Sequence, residues 1–101
     1  MKYRFLDGAR LELLDAGRHY VMLDRRLMVD LEAETERALG YLCEFPQAAK
    51  LIDKVHRSYK LRRFPYLLIY RIQEDEIVVV AIAHAARERG YWRARLDNGT
   101  S

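Results

Sequence analysis

With a single cysteine, Cys43, the 101-residue chain cannot form an internal disulfide. No stretch is apolar enough to span a bilayer, because the longest unbroken apolar run is Ile77–Ala83. The N-terminal MKYRFLDGAR has no apolar h-region. A signal peptide and a membrane partner are therefore not expected, and a reducing cytoplasm is the expected compartment. The sequence has no Gly-rich phosphate loop and no Gly-x-Ser-x-Gly elbow. His19, His56 and His84 have no partners at metal-ligand spacing, so neither a metal nor a cofactor is expected. Asn98-Gly99-Thr100 matches a glycosylation acceptor, which has no meaning in a cytoplasmic protein.

What the chain does contain is the balance of a globular protein. Half its residues are hydrophobic and a third are charged. Its length suits one domain over residues 1–101. The net charge of +3 is unevenly spread. Residues 1–53 hold eight Lys/Arg against ten Asp/Glu, and residues 54–101 hold ten against five. A basic C-terminal half fits an anionic partner, either nucleic acid or an acidic peptide, or else a solvated face.

The periodicity divides the chain into elements. Lys2–Leu6 is compatible with a strand, and Asp7 then offers a helix cap, with Leu6 and Leu11 placed for a hydrophobic staple. Ala9, Leu13, Ala16, Tyr20, Leu23 and Leu27 recur at helical spacing, as do Met28, Leu31, Thr35, Ala38, Leu42 and Phe45. No proline or glycine falls between Arg18 and Leu39. One continuous helix over 8–43 would nevertheless be roughly 54 Å long. A compact domain of this size has a radius of gyration of about 13 Å. The helix must therefore break near Asp24–Arg26, with Asp24 as the cap, and form an antiparallel hairpin. Phe45-Pro46 ends its second arm. The period then changes to two: Val55–Leu61, Tyr66–Ile72 and Ile77–His84 read as three strands, with the last the most apolar and central. The fold class is α+β, with an N-terminal strand, a helical hairpin packed on an antiparallel β-meander (β-α-α-β-β-β) and a basic tail, Arg87–Arg95. Asn98–Ser101 read as a frayed end.

The informative stretch is YKLRRFPYLLIYRIQEDEIVVVAIAHAARERGYWRARL, residues 59–96. Its Arg-Arg-Phe-Pro-Tyr turn, the strand end Ile69-Tyr70-Arg71-Ile72, the acidic hairpin loop, Val80-Ala81-Ile82-Ala83-His84 and the closing Arg87-x-x-Gly90-Tyr91-Trp92-Arg93 carry a resemblance. In order and spacing they resemble the RelE/ParE superfamily of type II toxins, in its ParE-like, plasmid-stabilisation branch. The hairpin tip, Met22-Leu23-Asp24-Arg25-Arg26-Leu27, departs from relatives that carry a Gly/Pro turn there.

The resemblance implies a growth-inhibiting toxin neutralised by an antitoxin encoded in the same operon. ParE-like members bind an essential target, with gyrase the first candidate. The residues implied for that contact are Arg62, Arg63, Arg89, Trp92 and Arg93. RelE-like members are instead ribosome-dependent, metal-free endoribonucleases. Lys60, Arg87 and Tyr91, with His84 as an acid–base group, match that alternative. One key arginine of the ribonuclease pattern falls on Leu67, which cannot stabilise phosphate charge. A third reading is an inactive relative that only binds its antitoxin. Leu14, Val21, Met22, Met28 and Val29 fall partly outside the stripe committed to the sheet and form the candidate antitoxin face. Tyr66, Tyr70 and Phe64 suit core packing better than base stacking, and Cys43 suits a small buried hydrophobe.

Overall fold

The computed structural model describes residues 1–97, so Asn98–Ser101, including the glycosylation motif, lie outside the described residues. Strand β1 (Lys2–Phe5) leads into α1 (Asp7–Leu23) and α2 (Arg25–Glu44). Then follow β2 (Lys50–Leu51), β3 (His56–Lys60), β4 (Tyr66–Gln73), β5 (Glu76–His84) and α3 (Arg93–Asp97). The sheet order is β1-β5-β4-β3-β2. Strands β2 to β5 pair antiparallel, while β1 runs parallel to β5 with Lys2 opposite Glu76 and Phe5 opposite Val79. The meander is thus present, widened by β1 and by the two-residue β2. The middle position belongs to β4. The most apolar strand, β5, lies between β1 and β4 rather than at the centre.

The helix break falls at Asp24. Its backbone is extended there (φ −168°, ψ 123°), and its side chain accepts the N–H of Arg26 at 2.9 Å. The start of α1 differs from expectation. Leu6 is the cap residue and no side chain caps the end, while Asp7 is already helical. There its charge still favours the positive end of the helix dipole. The staple does not form either, because Leu6 is buried while Leu11 is 60% exposed.

Each face of the sheet carries a core. One face packs under the hairpin, where Ala9, Ala16, Leu31, Ala38, Leu39 and Leu42 meet Leu61, Leu68, Tyr70, Ile77 and Val79. The other holds a smaller core of Leu6, Ile69, Val78, Val80, Ala81, Ala83 and Trp92. A bulge in β5 lets both be filled. Ile69 faces Ala81 and Tyr70 faces Val79, so Val80 has no partner on β4. The extra residue shifts the two-residue alternation, and Val80 and Ala81 both join the outer core. No helix among the described residues is long and apolar enough to cross a membrane.

Candidate binding site on the outer sheet face

The outer core covers only part of its face. Trp92, 2% exposed, packs there with Tyr91 and Leu96 at its margin, and its ring lies 4.7 Å from that of His56. Towards the C-terminal end of β5 the face stays open as a cup of about 590 Å³. Its floor is Ser58, Leu67, Ile69 and Ala83, and its walls come from Lys50–Ile52 and from the loop 85–93. That loop carries Arg87, Arg89 and Arg93, with Glu88 as the one acidic residue lining the cup.

Two carboxylates fix the segment that walls the cup. Glu12, on α1, accepts the Ile82 N–H at 3.0 Å, the Tyr91 hydroxyl, and Arg95 Nη2 at 2.9 Å. Arg95 Nη2 also donates to the Val80 carbonyl at 3.0 Å. The reason lies in the sheet. The paired residues of β1 end at Phe5, opposite Val79, so backbone groups further along that edge of β5 need other partners. The Glu12–Arg95 pair supplies an acceptor and a donor where a strand would have done so. Burial, with Glu12 alongside, pushes the Tyr91 phenol well above its ordinary range, so the hydroxyl stays protonated as a donor.

Asp53, ahead of β3, is the second anchor. It accepts the N–H groups of Val55 (2.9 Å) and His56 (2.6 Å) and Arg93 Nη2 at 2.8 Å, with His56 Nδ1 at 3.0 Å. Burial alone would raise its carboxyl. The His56 amide, Arg93, the Val55 amide and the His56 ring outweigh that and hold it well below the usual carboxylate range. Arg93 also lies over the Trp92 ring, 4.5 Å from its centroid.

The residues named from sequence separate into three places. Of the ribonuclease set, Arg87 stacks on Tyr91, 3.6 Å from the ring centroid, at the rim of the cup. Lys60 is exposed on β3 directly opposite Leu67. His84 is exposed at the end of β5, where its Nδ1 accepts the Ala86 N–H at 3.0 Å and its ring packs edge-on to Tyr66. Its Nδ1 therefore serves a backbone amide of the following turn.

Of the target set, Arg62 and Arg63 sit on the β3–β4 turn, whose amides donate to the buried Glu34 of α2. Arg63 pairs with Asp30 at 3.1 Å. The Ala85 N–H bonds the Pro65 carbonyl at 2.8 Å, so this turn lies beside the start of the loop bearing Arg87 and Arg89. Trp92 lines the cup but is 2% exposed, so its ring serves mainly as part of the outer core.

Of the antitoxin set, Met22 is 84% exposed, Leu14 is 50% exposed, and Val21 and Val29 are also exposed. On α1 the stripe is completed by Leu11, one turn ahead of Leu14. Met28 is half-buried and reaches towards Gly17 of α1, so it belongs to the hairpin's own packing. Cys43 is half-buried against the main core, and burial pushes its thiol up.

Sequence reasoning missed Glu12, Glu34, Asp53 and His56 as organisers. The sequence carries no signal for them, since Glu12, set among Leu11, Leu13 and Leu14, reads as an ordinary acid of an amphipathic helix. No group of three or more His, Cys, Asp or Glu side chains among the described residues is placed to hold a metal ion.

Comparison with known proteins identifies the company this architecture keeps. The family model of the ParE toxin of type II toxin–antitoxin systems, parDE, matches residues 3–89. A solved structure described as the chromosomal ParDE toxin–antitoxin system from P. aeruginosa is similar in fold, with a TM-score of 0.71 at 19% identity. The match covers 83% of this chain and 95% of that one. No curated protein matches the sequence.

Proposed function

Because the chain belongs to the ParE toxin family of type II toxin–antitoxin systems, we propose that it arrests growth by binding an essential cytoplasmic target. DNA gyrase is the first candidate, and an antitoxin from the same operon neutralises the toxin. The observation that carries binding over cleavage is Leu67. It lies on the cup floor opposite Lys60, at the position where the ribonuclease pattern carries a cation. Cleavage of RNA by 2′-hydroxyl attack needs a base, an acid and cations around the developing charge. Here the Tyr91 hydroxyl is committed to Glu12, and the floor of Ser58, Leu67, Ile69 and Ala83 offers no cation.

Two surfaces support the reading. Arg62 and Arg63 on the β3–β4 turn and Arg89 on the cup are exposed cations, which suits an anionic target. Leu11, Leu14, Val21 and Met22 make an apolar stripe along α1, and Val29 is exposed on α2; such a stripe suits the apolar face of an antitoxin helix.

The test is induced expression in a bacterium with separate readouts of DNA supercoiling and messenger RNA. The expected outcome is filamentation with DNA damage and intact transcripts. Transcript cleavage at ribosomal A-site codons would instead establish the endoribonuclease. Normal growth with retained antitoxin binding would mark an inactive relative.

A further inference from the structure

The cup combines two chemistries that rarely share one ligand. Its floor is mostly aliphatic, with Leu67, Ile69 and Ala83 beside Ser58, while Lys50, Arg87 and Arg89 stand on its rim. Among the described residues, no ion pair engages any of these three cations. Arg93 differs, being held by Asp53. A nucleotide would find charge here but no platform. The Tyr91 ring is covered by Arg87, and the Trp92 ring lies between His56 and Arg93 contacts within the outer core. Base recognition relies on such open rings. An extended peptide alternating aliphatic and acidic residues meets both demands at once, because successive side chains point to opposite sides.

We propose that the cup seats an extended acidic segment of the antitoxin. An aliphatic side chain rests on Leu67, Ile69 and Ala83, and neighbouring carboxylates face Lys50, Arg87 and Arg89. This rests on the toxin–antitoxin reading above and adds a second contact, on the sheet face opposite the α1 stripe. The antitoxin then grips both faces, and each contact raises the effective concentration of the other. The two contacts differ in their response to salt. The cup is electrostatic and screened, whereas the α1 stripe is apolar and is not.

The experiment is calorimetric titration of the full chain with the protein encoded beside it, at low and high salt. Lys50→Glu with Arg89→Glu tests the cup through exposed positions, Leu67→Glu tests its floor, and Val21→Asp tests the α1 stripe. Circular dichroism melts confirm that each variant is folded. The cup variants are expected to weaken binding roughly tenfold or more at low salt and to remove most of its salt dependence. Val21→Asp is expected to weaken binding with the salt dependence intact. If the charge-reversed cup binds as tightly as the parent with the same salt response, the cup proposal falls while the toxin–antitoxin reading stands. If the parent chain binds no antitoxin at either salt, that reading falls, and the cup proposal with it. Displacement of the antitoxin by a six-nucleotide oligouridylate, lost in the charge-reversed cup, would assign the site to nucleic acid and overturn the proposal.

Discussion

Glu12 is flanked by leucines on α1, and by pattern alone it is one more acid on an amphipathic helix. Its role becomes visible only when β1 stops short and backbone groups of β5 are left without a strand beside them. Glu12→Ala strips acceptors from the Ile82 amide, the Tyr91 hydroxyl and Arg95 together. The expected cost is about 2–4 kcal/mol in urea unfolding, because partly buried donors are left unpaired. Glu12→Gln, which keeps an acceptor for Ile82, should cost less. Equal losses would show that the backbone contact contributes nothing. Asp53 makes a different prediction. Its folded carboxyl lies below its unfolded value of about 3.9, so its stabilising contribution is complete above that pH and is lost as pH falls beneath it. The stability of the parent chain should therefore drop more steeply than that of Asp53→Asn between about pH 4 and pH 2. Parallel pH curves would exclude this role. Trp92 shows the limit of reading single residues. Beside arginines in a basic tail it looks like a contact residue, yet a bare outer sheet face needs a large apolar cover and takes it inside.

At the level of elements, the hairpin was legible because geometry forbids its alternative, a helix longer than the domain is wide. Asp24 supplied the chemistry of the break, and the structure places it there as a cap. The three meander strands were legible from their alternation. What escaped were pieces too short or too non-local to leave a pattern. β2 is two residues long, α3 is five, and the parallel pairing of β1 joins residues more than seventy positions apart. The bulge at Val80 was equally silent, since an unbroken apolar run hides a change of face. Asp24→Ala should lower the thermal midpoint by a few degrees, through the lost Arg26 amide acceptor. Asp24→Asn, which keeps an acceptor, should restore most of it. If alanine and asparagine melt alike, the break is held by packing rather than by the cap.

Over the whole molecule, two cores share one sheet, and this changes what can be learned by shortening the chain. If the C-terminal segment were a solvated basic arm, removing it after Arg89 would silence the toxin and leave a folded body. The structure argues otherwise. That cut removes Trp92 and Leu96 from the outer core, together with Arg93 from Asp53 and Arg95 from Glu12. Loss of a buried tryptophan alone costs about 3–5 kcal/mol. A typical domain has only about 5–15 kcal/mol in total. Val78, Val80 and Ala81 would then face water beside an edge of β5 no longer capped by Arg95. The truncated chain is expected to be protease-sensitive and aggregating, with dispersed amide resonances lost. Arg62→Glu should keep the parental melt and the dispersed spectrum while lowering toxicity, since Arg62 is exposed on its turn. A truncated chain that stays monomeric, with parental protease resistance, would show that the hairpin-side core folds alone. The outer core would then be an addition to the domain rather than part of its stability.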